Sequence, residues 1–302
     1  MADPGVSVDP GPGRGPQLSA ILELLKPITW FAPMWAYACG VISSGRSVFD
    51  DPVPALLGIV LAGPLVCATS QAVNDWFDRH VDAINEPHRP IPSGRLPGAW
   101  GLYVAIAWTA ISLAVGAMLG AWGFGATIVG LALAWAYSAP PFRLKRDGWL
   151  GNSAVAVCYE GLPWITGAAV MGTDMPDARI LLLAGLYSFG AHGIMTLNDF
   201  KSVEGDLRMG IGSLPAKLGV ARAARVACAF MVAPQIAVIA AMWLWGFALA
   251  AAAIAALLAA QGILMVRLLR APKALAPWYN ATGTTLYVLG MLVCAIAIGH
   301  FA

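Results

Sequence analysis

About nine apolar runs, each close to the ~20 residues a helix needs to cross ~30 Å of hydrocarbon, constrain this chain more than any other feature. They lie at 27–45, 53–77, 98–120, 121–138, 149–171, 178–200, 223–245, 247–268 and 280–300. Lipid offers no partner to a backbone N–H or C=O, so runs of this length must be helices that satisfy themselves. Only 11% of the 302 residues are charged and 59% are hydrophobic, whereas soluble domains carry about 25% charge. The expectation is an all-α integral membrane protein of about nine transmembrane helices. Tight hairpins are expected at Gly120–Gly123 and Trp245–Phe247, and Pro33, Pro64, Pro163 and Pro234 inside the runs predict kinks.

Residues 1–16 are rich in Pro and Gly and lack an apolar stretch, so they read as a disordered tail and not as a cleavable signal. Residues 17–26, QLSAILELLK, are amphipathic and suit a short helix lying at the interface. The remainder, 17–302, reads as a single transmembrane domain in two halves, roughly 17–145 and 146–302. Basic residues gather in alternate loops: Arg79, Arg89 and Arg95; Arg143, Lys145 and Arg146; Lys201, Arg208, Lys217, Arg222 and Arg225; Arg267, Arg270 and Lys273. The intervening loops carry only Arg46 and Arg179. By the positive-inside rule the N-terminus and the four basic loops are cytoplasmic.

A net charge of +2 without a basic tail gives no sign of nucleic-acid binding. Cys39, Cys67, Cys158, Cys228 and Cys294 lie within apolar runs without metal-ligand spacing and read as small core residues. Gly40 to Ser47 looks like a phosphate-binding loop with Arg for Lys, but it ends a membrane helix and follows no strand. The glycosylation pattern at Asn280 falls on the cytoplasmic side.

Two acidic stretches stand out where apolar runs end. At Asn74 to Asp82 and one turn before it, the residues Gln71, Asp75, Asp78 and Asp82 fall within an arc of about 60° on a helix, forming a carboxylate stripe. Carboxylates brought this close repel by several kcal/mol per pair at an effective dielectric near 20, about 4 kcal/mol at 4 Å, unless a cation sits among them. All-oxygen ligands select a hard ion such as Mg²⁺, which keeps positions free for waters and substrate phosphates. A second copy runs from Asn198 to Asp206, again opening Asn-Asp and closing on Asp, with Asp199, Ser202 and Asp206 at helical spacing on one face. The pair reads as a weak internal repeat with one metal-binding wall from each half.

Arginines and carboxylates sharing one mouth make sense if a polyanion joins them through metal. Arg89 lies in the proline-stiffened loop Asn85 to Arg95, and Tyr137, Ser138, Arg143 and Lys145 lie in the loop Tyr137 to Arg146. Together with Lys201 these offer donors suited to phosphate oxygens. An Mg²⁺ pair holding a diphosphate makes it a good leaving group, and departure from an allylic isoprenoid gives a cation that a membrane cavity shields from water. Glu160 and His192 are ionisable residues inside runs, where a charge costs roughly 2.5–3.5 kcal/mol, so both are expected to face a cavity. With Trp164 they are candidates for holding the acceptor.

These residues resemble the UbiA-type intramembrane prenyltransferase superfamily. The resemblance covers nearly the whole chain after the tail: NDxxDxxxD at Asn74 to Asp82, NxxxRPxxSG from Asn85 to Gly94, YSxPPxRxK from Tyr137, and the second acidic motif. Within the superfamily, Asn198 to Asp206, Gly212 to Pro215 and Lys145 to Asn152 are similar to chlorophyll and bacteriochlorophyll synthases. The resemblance implies nine helices around a central cavity with acidic loops on the cytoplasmic side of a bacterial inner membrane. It implies Mg²⁺ held by Asp75, Asp78, Asp82, Asp199 and Asp206 with Asn74 and Asn198 in support, and a diphosphate gripped by Arg89, Arg143, Lys145 and Lys201. The implied reaction esterifies the propionate of a bacteriochlorophyllide with a geranylgeranyl or phytyl group from its diphosphate, among membrane lipid and with pigment-binding proteins as candidate partners. The superfamily pattern at the second site is DxxxD, whereas here Ser202 stands four residues before Asp206, with Asp199 or Glu204 available to compensate. Two other readings remain: a relative that prenylates a quinone precursor or haem, and a secondary transporter with ion-binding carboxylates.

Overall fold

The computed structural model describes residues 15–49 and 51–301; the tail expected over 1–16 lies outside them except for Gly15 and Pro16. The helices are α1 (Leu18–Leu25), α2 (Phe31–Ser43), α3 (Pro52–Asn85), α4 (Trp100–Met118), α5 (Gly120–Ser138), α6 (Gly148–Gly172), α7 (Ala178–Asn198), α8 (Val203–Met209), α9 (Leu214–Leu218), α10 (Val220–Leu244), α11 (Ala248–Leu268) and α12 (Pro272–Phe301). Among the described residues, eight helices are long and apolar enough to cross a membrane, namely α3 to α7 and α10 to α12. The run at 27–45 supplies a ninth, shorter helix: a 3-10 turn over Pro27–Thr29 precedes α2, whose 13 residues span about 20 Å. Apolar surfaces such as Ile106, Phe124, Ile236, Leu249 and Ile263 stand exposed around the bundle, as lipid contact requires.

The prolines are met in different ways. Pro64 lies in a π-helical stretch, Leu61–Cys67, and a second such stretch, Val157–Gly161, runs directly up to Pro163. Widening the turn accommodates the missing N–H without ending the helix. Pro33 falls in the first turn of α2, where no intrahelical bond is lost. The two tight hairpins form as expected, with Gly120 (φ +73°) between α4 and α5 and Gly246 (φ +88°) between α10 and α11.

One cluster of buried side chains joins α2, α6, α7, α10, α11 and α12, with Trp164, Tyr187, Met231 and Tyr287 at its centre. A second joins α1, α3 and α4 through Leu24, Ala68, Ala72 and Val104. Helices in lipid gain little from apolar burial against one another, so association rests on close packing of small residues. A methyl group at Gly40 of α2 would stand 2.1 Å from the Trp164 carbonyl oxygen, and one at Gly167 of α6 would stand 2.3 Å from that of Tyr37. Backbone cannot yield there as a side chain can. Gly40→Ala is expected to cost about 1–3 kcal/mol, read as a lower unfolding temperature of the detergent-solubilised protein; an unchanged temperature would contradict this crossing.

Candidate active site

The first acidic stretch stays helical to Asn85, so Asp75, Asp78 and Asp82 share a face as expected. Each carboxylate meets a cation of the protein itself. Lys26 Nζ donates to Asp75 Oδ1 at 2.6 Å, Lys145 Nζ to Asp78 Oδ1 at 2.5 Å, and Arg89 Nη1 to Asp82 Oδ2 at 2.8 Å. Arg89 also lies 3.5 Å from Asp75 Oδ1. Asp75 is 2% exposed, and its Oδ2 has no hydrogen-bond partner. Burial works against the Arg89 charge, but Asp75 and Asp82 outweigh it and hold the guanidinium above its ordinary range. At Lys145 burial wins, and the ammonium is drawn below the usual lysine range despite Asp78.

The second stretch departs from the expected single helical face. α7 ends at Asn198, Asp199–Lys201 form a 3-10 turn, and α8 starts at Val203. At the break the Ser202 hydroxyl donates to the Asp199 carbonyl at 3.0 Å, which the Ser202 backbone N–H also reaches at 3.1 Å, and the hydroxyl lies 3.0 Å from Asp206 Oδ2. Ser213 donates to the same Asp206 oxygen at 2.6 Å, and Asn152 Nδ2 donates to Asp199 Oδ2 at 3.1 Å. Glu204 pairs with Lys273 on the exposed side and does not turn toward Asp199. The Asn198 amide oxygen accepts from Asn280 of α12 at 2.7 Å.

A backbone clasp joins the start of α6 to the loop after α8 at this end. Gly148 N donates to Gly212 O at 2.8 Å and Gly212 N to Arg146 O at 2.9 Å, while Lys217 pairs with Asp147 at 2.5 Å. Asp147 also caps α6 by accepting from Trp149 N and Leu150 N. Gly148 permits the contact, since a Cβ there would lie 2.5 Å from Leu214 N. The clasp places the loop carrying Lys145 against the loop carrying Ser213.

Between the walls lies a cavity of about 420 Å³, lined from the first half by Gln71, Asn74 and Tyr137 and from the second by Asn152, Tyr159, Asn198, Asp199 and Lys201. Asn74 Nδ2 donates to the buried Ser138 Oγ at 3.3 Å, and Arg143, in a left-handed conformation (φ +43°), keeps a buried Nε without a partner. A smaller apolar cavity shares Ala62, Val66, Gly130 and Cys158 with the first and extends it toward Tyr37 and Leu162.

Glu160, Trp164 and His192 do not line the main cavity. Tyr159 points into it, and the next residue on the same turn, Glu160, points away, buried with Oε2 unpartnered. Trp164 donates to Ser43 at 2.9 Å and packs 5.8 Å from Tyr187. His192 shares its face with Thr196 and Asp199, but Trp149 and Phe230 cover it, with ring centroids at 5.5 and 4.5 Å. Conversely, Lys26, Asn152, Ser213 and Asn280 take part in the site without having been singled out. Asn152 and Ser213 lie inside motifs, and Lys26 is the basic residue closing the amphipathic helix, which was the available signal.

Among the described residues, no three His, Cys, Asp or Glu side chains form a ready metal cage. The donor set nevertheless fits a hard divalent ion whose shell is completed by substrate oxygens: it is all oxygen, and Asp75 Oδ2 stands buried and unused.

The chain matches the UbiA prenyltransferase family over residues 30–282. It is 58% identical to the bacteriochlorophyll synthase 33 kDa chain of Cereibacter sphaeroides, with 95% of each chain covered. It is 46% identical to the bacteriochlorophyll synthase 34 kDa chain of Chloroflexus aurantiacus, covering 92% of this chain and 89% of that one. A solved UbiA homolog from Archaeoglobus fulgidus, bound to GPP and Mg²⁺, superposes with a TM-score of 0.67 at 21% identity over 89% of this chain and 99% of its own. Membrane-length helices, paired acidic walls and these matches agree that the chain belongs to the UbiA prenyltransferase family.

Proposed function

We propose that the protein esterifies the propionate of a bacteriochlorophyllide with a geranylgeranyl or phytyl group taken from its diphosphate. The observation that carries this reading is one cavity lined by Asn74 of the first acidic stretch and by Asn198, Asp199 and Lys201 of the second, in a chain 58% identical to a bacteriochlorophyll synthase chain. Asp75, Asp78 and Asp82 with Asn74, and Asp199 and Asp206 with Asn198, would hold Mg²⁺, which when bound would supply positive charge against the diphosphate as the C–O bond breaks. Arg89, Arg143, Lys145 and Lys201 donate to the phosphate oxygens, and Tyr137 and Ser138 border them.

The apolar extension toward Tyr37 and Leu162 takes the hydrocarbon tail and keeps water from the allylic cation. The C1–O bond breaks with its electron pair leaving on diphosphate, and a propionate oxygen then forms the new C1–O bond. A propionate with an ordinary pKa near 4.3 is already ionised at neutral pH, so the transfer needs no general base. The basic loops at the acidic end support a site that faces the cytoplasm from a bacterial inner membrane, with pigment-binding proteins as candidate partners.

The test is a membrane assay with bacteriochlorophyllide and each prenyl diphosphate, with and without EDTA. Prenyl ester and diphosphate formed in equal amounts and lost with EDTA are expected. Transfer to a quinone precursor or haem, with none to bacteriochlorophyllide, would refute the acceptor.

A further inference from the structure

Lys26 belongs to neither acidic motif, precedes the matched residues 30–282, and yet makes a 2.6 Å ion pair with the most deeply buried carboxylate of the site. Its backbone is left-handed (φ +46°, ψ +69°), a conformation in which glycine is free of strain and an L side chain is not. A helix end needs only glycine there. A lysine in its place points to a function for the side chain.

The surrounding contacts hold that strained residue in position. Arg95 pairs with Glu23 through both of its terminal nitrogens, at 2.6 and 2.9 Å, and Leu24 and Leu25 are buried against α3. Thr29 Oγ1 donates to the Lys26 carbonyl at 2.9 Å, and Trp30 Nε1 to the Leu25 carbonyl at 2.8 Å. The ammonium is therefore delivered to Asp75 by a fixed backbone on a flexible stem. At 25% exposure the Lys26 side chain has room to swing, whereas Asp75, at 2%, does not.

We propose that Lys26 is a resident counter-cation of Asp75, holding the carboxylate in the ligand-free protein and passing to a phosphate oxygen when Mg²⁺ and diphosphate arrive together. This deepens the proposed function and rests on it. The exchange keeps a buried carboxylate neutralised at every stage, and it makes Mg²⁺ alone a poorer ligand because the ion must displace an ammonium from its ion pair without offering it another anion. With diphosphate present the displaced ammonium finds a new anion. Lys26 thus couples metal binding to substrate binding as a positioning residue.

The experiment titrates the full chain in nanodiscs with Mg²⁺, with inorganic pyrophosphate, and with both, by calorimetry and thermal unfolding. Wild type is expected to bind Mg²⁺ weakly alone and tightly with pyrophosphate. Lys26→Met is expected to bind Mg²⁺ alone about tenfold more tightly and the Mg²⁺–pyrophosphate pair about tenfold more weakly, and Lys26→Arg to keep the wild-type pattern. A merely structural lysine would lower stability without tightening Mg²⁺. If Lys26→Met folds only in Mg²⁺, EDTA should unfold it at a temperature that wild type survives. Equal Mg²⁺ affinity in wild type and Lys26→Met, or an EDTA-insensitive variant, would overturn the counter-cation role while leaving the diphosphate reading intact. Wild type that binds no Mg²⁺–pyrophosphate would overturn both.

Discussion

Replacing Asp75 or Asp78 by alanine is expected to abolish turnover, by about a thousandfold or more, while the protein still inserts and folds. In the proposed reaction these two carboxylates would hold the Mg²⁺ that neutralises charge on the leaving diphosphate, so their loss would fall on the bond-breaking step. Stability should change little. Removing Asp75 frees Lys26 and Arg89, whose side chains are 25% and 29% exposed and can turn to water. Removing Asp78 frees Lys145, whose ammonium burial already draws below the usual lysine range. Turnover of either variant within a few-fold of wild type, measured beside its unfolding temperature, would remove the first wall from the mechanism.

Arg89→Met should show the opposite pattern. Its guanidinium serves Asp82 at 2.8 Å and stands 3.5 Å from Asp75, and the two carboxylates are 8% and 2% exposed. Lys26 still serves Asp75, but Asp82 loses its cation. A buried charge left without its partner costs about 3–5 kcal/mol, far more than the intact pair contributes. The variant is expected to unfold at a markedly lower temperature without Mg²⁺ and to regain part of the loss when Mg²⁺ is added. Arg89→Lys should recover more than half. Wild-type stability in Arg89→Met would show that the Asp82 carboxylate is neutralised in some other way.

The bundle was legible because lipid enforces helices of known length, and each apolar run returned as a helix within a few residues at most ends. Two boundaries moved for local reasons. α3 runs on to Asn85 because its polar face continues the same helical spacing past the hydrocarbon, and α12 begins at Pro272, an N-terminal position that proline suits. The first acidic wall was readable as a stripe because nothing interrupts its helix. The second was not, since its helix gives way to a 3-10 turn at Asp199–Lys201 and the wall is rebuilt from α8 and the loop bearing Ser213.

Glu160 and His192 show what periodicity omits. Both are ionisable residues inside membrane helices, yet which side of a helix meets the cavity depends on the neighbouring helix. Trp149 and Phe230 cover the face His192 presents, and Tyr159 takes the place beside the cavity that Glu160 would need. Lys26 was the converse case: a lysine in a short amphipathic helix looks like an interface anchor until α1 is seen packed on α3 beside Asp75.

Binding of inorganic pyrophosphate with Mg²⁺ to Asp78→Ala, Asp199→Ala and the double variant tests most directly whether both walls grip one ligand. Loss of binding in each single variant, with no further loss in the double, is the result expected of a shared diphosphate. Two partial losses that simply add would mean that the walls bind separate ligands, and the single-site account would fall.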